Sequence, residues 1–188
     1  MPEIIETLLA APPGFRGAQV GRFLWQLDEQ RRRLTADTRG LTPGALAWQP
    51  APGMNSIGML LAHIAWAENH LVQVGMEGKA TSDTRAVLGI EEDGLPLAPE
   101  APPWPALDGR DLATFDDLLA RSRAYTRGVA LGLTDGDLED QVVRTRPDGV
   151  RRVFNKGWVL YHLLEHEAGH HAQINLLRHL QRARPGSA

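Results

Sequence analysis

Five of the seven histidines, His162, His166, His170, His171 and His179, fall in one stretch near the end of the chain. Imidazole is the commonest metal ligand among side chains. The run His166-Glu167-Ala168-Gly169-His170 has the His-Glu-x-x-His spacing in which two histidines one helical turn apart hold zinc and the glutamate activates water. Its usual continuation is missing. Gln173 stands where one protease class has glycine, and no acidic residue follows Glu167. His171 lies too close along the chain to join the pair, and His179 sits two turns further on. A third ligand has to come from upstream.

The element that must carry these residues is a helix from about Lys156 to Arg182. At about 100° per residue, with His162 at zero, His166 falls near 40° and His170 near 80°. On the same arithmetic Val159 and Leu177 lie near 60°, Leu163 near 100° and Ile174 near 120°. The apolar arc is thus centred between His166 and His170, with His162 at its edge. His171, near 180°, is expected to be exposed. Two imidazoles in a core stripe are either neutral, buried rings with their hydrogen bonds met twice over, or ligands of a shared metal that takes one nitrogen of each. The pairing favours the metal.

A second helix, from Ile57 to about Val74 and capped by Asn55 or Ser56, carries His63. That ring lies roughly 110° from the centre of the Ile57/Leu60/Ile64/Leu71 stripe, so periodicity leaves its direction open. Glu68 falls inside the apolar arc, where an unpaired carboxylate is expensive. It is either a structural polar residue or support for a metal site. The first half of this helix is apolar nearly all round, so other helices or a second subunit must cover it.

Two further long helices complete the pattern. One runs from about Gly17 to Thr38, with Val20, Phe23, Leu24, Leu27 and Leu34 on one face, and stops at Gly40 and Pro43. The other runs from about Asp111 to Leu131, with Leu112, Phe115, Leu118, Leu119, Tyr125 and Val129 inward. Leu46 to Gly53 reads as a loop. Gly78 to Arg110 reads as a long surface loop with one short helix around Asp83 to Leu88. Residues 141–154, with a Pro147-Asp148-Gly149 turn, read as a β-hairpin. The expected fold is all-α: one domain over residues 1–188, a four-helix bundle with a small hairpin before the last helix.

Composition narrows the function classes. Twenty basic and 23 acidic residues give a net charge of −3, a poor balance for neutralising nucleic-acid phosphates or binding an anionic membrane. Lys79 and Lys156 are the only lysines, and there is no cysteine, so disulfides, thiolate ligands and a protein-borne thiol nucleophile are excluded. No signal-peptide pattern opens the chain. No apolar run approaches the roughly 18 residues of a membrane span. The expectation is a cytoplasmic protein acting on a small molecule.

The stretch Trp48-Gln49-Pro50-Ala51-Pro52-Gly53-Met54-Asn55-Ser56-Ile57-Gly58-Met59-Leu60-Leu61-Ala62-His63-Ile64-Ala65-Trp66-Ala67-Glu68 resembles the Trp-x-Pro, Ser-Ile-Gly and Leu-x-His-x4-Glu signature of the DinB/YfiT-like superfamily. Val159 to Ile174 is similar to that family's closing helix, His-x3-His followed by x-Gly-Gln-Ile, with Ala172 where glycine is usual. The resemblance covers most of residues 17–182. It implies three metal ligands, His63, His166 and His170, the last pair selected by Gln173. Three neutral nitrogens suit zinc or nickel, and also iron, and leave a position open. By the same resemblance the protein is a metal-dependent enzyme, such as a transferase using a low-molecular-weight thiol. A zinc hydrolase working through activated water, with Glu167 as its weak candidate base, is the alternative. So is a non-catalytic metal-binding or structural bundle, a homodimer through its apolar second helix.

Overall fold

The computed structural model describes residues 7–91, 95, 107, 109–145 and 148–184. Its elements follow in the order α1 (Ala18–Thr38), α2 (Pro43–Ala47), α3 (Ile57–Gly75), α4 (Thr84–Leu88), α5 (Leu112–Leu131), β1 (Gln141–Thr145), β2 (Arg151–Asn155) and α6 (Lys156–Arg182). The chain is mostly helical, with one two-stranded antiparallel hairpin ahead of the last helix. No helix among the described residues is long and apolar enough to cross a membrane.

Helix starts are set by short polar side chains that satisfy free backbone N–H groups. Ser56 Oγ accepts from Met59 N at 3.2 Å, and the Met59 sulfur receives the Ser56 N–H in return. Asp111 caps α5 and Asn155 caps α6 in the same way. Ahead of α1 stands Gly17, which offers no side chain; Asp135 instead accepts from Gln19 N at 2.8 Å and Val20 N at 3.1 Å. The segment between α1 and α3 is not wholly loop. Thr42 caps a one-turn helix, α2, with Pro43 at its first position, the arrangement proline favours.

The core has two buried apolar clusters. One joins Leu34, Ile57, Leu60, Ile64, Phe115, Leu118, Leu119, Ile174 and Leu177. The other joins Val20, Leu24, Leu27, Val72, Ala130, Val159, Leu160 and Leu163. Each long helix contributes to both, and the order in which it visits them gives its direction. Helices α3 and α5 run from the first cluster to the second, and α1 and α6 run the opposite way. Because α3 and α5 are parallel, the chain between them must return along a 19-residue helix, about 28 Å. A long segment there is a topological necessity. Of the expected loop Gly78 to Arg110, the described parts include α4 and the buried side chains of Leu88 and Leu107; residues 92–94, 96–106 and 108 lie outside the described residues, as does Pro147 of the hairpin turn.

The apolar circumference of α3 is covered within the chain by α5, α6, α2 and α4, so it does not require a second subunit. The closeness explains the glycine of the Ser-Ile-Gly run. A Cβ on Gly58 would lie 2.8 Å from Phe115 Cζ and 3.2 Å from the Leu46 carbonyl oxygen. Gly128, exposed in the last turn of α5, has open space around it. Glycine to alanine inside a helix ordinarily stabilises by about 0.5–1 kcal/mol. We expect that gain for Gly128→Ala, and a loss of about 1–3 kcal/mol for Gly58→Ala through overpacking. Urea denaturation of the two variants checks the opposite signs.

Candidate metal centre

Helix α3 brings His63 against α6, where it meets His166 and His170. His63 Nε2 and His166 Nε2 are 3.0 Å apart, and His170 Nε2 lies 3.1 Å from His166 Nε2. The ring centroids are 4.4–4.9 Å from one another. The α3 periodicity left the direction of His63 open; in the structure it faces the two α6 rings. All three are half-buried, so among the described residues their shared point is not fully enclosed.

This donor set fits a divalent cation. A ring nitrogen carries either a proton or a lone pair. His170 Nδ1 faces Gln173 Oε1 at 2.8 Å; the amide oxygen only accepts, so Nδ1 holds the proton and Nε2 presents a lone pair. His166 Nε2 faces two other nitrogens at once, and one proton serves that arrangement poorly, whereas a cation among three lone pairs serves all of them. Burial, with His170 and His63 close by, pushes the His166 pKa down to about 3. Its imidazole is therefore neutral at ordinary pH, the form that ligates. Three histidines with an open side are the pattern of a reactive rather than a closed structural site.

Glu167 belongs to a buried ion cluster. It is 2 % exposed and accepts from Arg31 Nε at 2.8 Å, Arg31 Nη2 at 3.1 Å and Arg123 Nη2 at 2.9 Å. Glu68, 3 % exposed, accepts from Arg31 Nη2 at 2.8 Å and Arg123 Nε at 2.7 Å. Burial alone would raise the Glu68 carboxyl, but the guanidiniums of Arg123 and Arg31 outweigh it and hold the group well below the usual carboxylate range. Arg31 also donates to the Leu119 carbonyl, and Arg123 to Asp28, which pairs with Arg127. Neither arginine was singled out from the sequence. The available signal was a gap in each apolar stripe, at Arg31 between Leu27 and Leu34, and at Arg123 four residues after Leu119.

The remaining histidines separate. His171 is not exposed; its side chain is 12 % accessible and sits against α1, with Nδ1 at 3.0 Å from Gln30 Nε2 and Nε2 at 2.8 Å from Asp37. The reason is angular. Counting buried Leu160 and Glu167, near 160° and 140°, moves the centre of the arc toward His171 and leaves His166 and His170 on its shoulder. His162 stacks on Trp158 with centroids 4.6 Å apart and lies 5.9 Å from the His166 ring, outside the cluster of three. His179 is exposed.

Removing Arg123 would leave two buried carboxylates to share the single guanidinium of Arg31. We expect Arg123→Met to cost about 3–5 kcal/mol, read by urea denaturation. The sign with pH follows from the lowered Glu68 value. Its contribution is present above the ordinary carboxylate range and is lost as pH falls through the depressed one. The variant's acid transition, followed by far-UV circular dichroism, should therefore move to higher pH.

Comparison with known proteins agrees with this architecture. A crystal structure of a conserved protein from Enterococcus faecalis superposes with a TM-score of 0.60 at 18% identity, covering 86% of this chain and 96% of that one. That likeness concerns the fold. No curated protein matches the chain. The sequence model of the DinB superfamily matches residues 26–174, which include all three clustered histidines and the four charged residues beneath them. The chain belongs to the DinB superfamily.

Proposed function

We propose that the protein is a metal-dependent enzyme in which His63, His166 and His170 hold one divalent ion, zinc or nickel before iron, for a low-molecular-weight-thiol-dependent transfer. The carrying observation is the convergence of three Nε2 atoms on one half-open point. Such an ion, when bound, is a Lewis acid that favours the ionised form of a thiol or water at its open position. The chain's own residues do the rest. His170 is held in the ligating tautomer by Gln173, and His166 stays neutral through burial.

The thiol reading stands ahead of a hydrolase on the state of Glu167. A water mechanism of the His-Glu-x-x-His type needs that carboxylate as base, and here both its oxygens are held by Arg31 and Arg123. A thiol, which ionises more readily than water, needs less help. The absence of cysteine from the chain is compatible with an external thiol. The near-balanced charge supports a small-molecule substrate in the cytoplasm over nucleic acid or membrane.

Elemental analysis of purified protein should find close to one zinc or nickel per chain. His166→Ala and His170→Ala should each lose it while keeping the helical circular dichroism signal. His171→Ala should keep the metal, at a cost of about 1 kcal/mol from its bonds to Gln30 and Asp37. Cobalt-loaded protein titrated with a small thiol should develop a sulfur-to-metal absorption band. Metal retained in His170→Ala but lost in His171→Ala would overturn the ligand set. A metal-loaded protein that shows no such band would remove the thiol and leave a metal-binding bundle.

A further inference from the structure

Beside the start of α6 is a cavity of about 440 Å³, lined by Gln141, Arg152, Val153, Phe154, Asn155 and Trp158. Arg152 lies with its guanidinium carbon 4.5 Å from the centre of the Trp158 ring system. A guanidinium held over an indole is attracted by the ring and keeps N–H donors that can take a carboxylate by two parallel hydrogen bonds. Directly across the hairpin from Arg152 stands Arg144, anchored on the carbonyl oxygens of Lys79 and Ala80 at 2.9 Å each. Like charges in that position repel. Among the described residues no carboxylate is within ion-pair distance of either arginine, while Arg31, Arg123, Arg127 and Arg178 each have one. Among the described residues the cavity carries Arg152 on its wall, has Arg144 across the hairpin, and has no carboxylate in its lining.

The cavity is connected to the ring cluster. Trp158, His162, His166 and His170 are spaced four residues apart and form one ridge of α6, with Trp158 stacked on His162 and His162 beside His166. From Trp158 to His166 the ridge advances about 12 Å. We infer that this cavity is a carboxylate-binding subsite, with Arg152 as its anchor and Trp158 as its wall, and that it holds the acidic end of an elongated small molecule whose other end reaches the three histidines. The inference rests on the proposed metal site for the second half of that statement only; the subsite can be tested without metal.

Metal-free protein, labelled with 15N, is titrated with 4-phenylbutyrate and separately with 4-phenylbutyramide, following the indole N–H of Trp158 (assigned with Trp158→Phe). A saturable shift with the carboxylate, at least tenfold weaker with the amide and abolished in Arg152→Gln, supports the subsite. Because Arg152 is exposed, that variant should fold normally, and an unchanged spectrum elsewhere checks it. Equal affinity for acid and amide, no shift with either, or full binding by Arg152→Gln overturns the inference. The reach is tested on cobalt-loaded protein with ω-mercapto-carboxylates of increasing length and their amides. The carboxylate's advantage should emerge only when the chain spans about 12 Å, and should vanish in Arg152→Gln while a short alkyl thiol binds as before. If no thiol reaches the metal but the phenylbutyrate shift holds, the thiol reading falls and the subsite stands. If thiols bind and the carboxylate confers nothing, the subsite falls and the metal reading stands.

Discussion

Two guanidiniums and two carboxylates, one from each long helix, are locked together in the middle of the bundle: Arg31 from α1, Glu68 from α3, Arg123 from α5 and Glu167 from α6. They lie between the two apolar clusters, so each helix passes from leucine-rich packing through one charged layer and back into leucine-rich packing. Taking four charges out of water is costly, and such a group adds little net stability over a well-packed apolar layer. Its effect is on alignment. Sliding any one helix by a turn would carry a charge into an apolar cluster and strand its partners.

That alignment is what places the histidines. His166 immediately precedes Glu167, and His63 lies five residues before Glu68, so the levels of the rings on α6 and α3 follow from the levels of the two carboxylates. The layer also decides what the site lacks. By drawing Glu68 and Glu167 toward the arginines, it keeps both carboxylates away from the three nitrogens and leaves them uncharged by any anionic ligand. A divalent ion held by neutral donors retains its full positive charge toward whatever binds opposite.

Much of this was legible from residue types and spacing. The four long helices, the hairpin and a cap at Asn55 or Ser56 follow from apolar periodicity and turn chemistry, and the direction of the α6 ring pair follows from one wheel. Other features were not. The wheel omitted Leu160 and Glu167, so it misplaced the centre of the arc and the environment of His171. A buried arginine pairs across helices far apart in sequence, and single-helix periodicity sees only a gap in the stripe. His63 was directed by the resemblance, because its own helix is apolar on nearly every side and no side can be preferred from the sequence.

The carboxylate that closes the start of α1 comes from Asp135, 115 residues beyond Val20. In a chain growing on the ribosome, the first helix therefore emerges long before the group that finishes it. At synthesis rates of roughly 5–20 residues per second, the interval is on the order of ten seconds. Arg31 waits similarly for Arg123 and Glu167 to complete its ion cluster. Throughout that time α1 exposes an apolar face with one end unfinished.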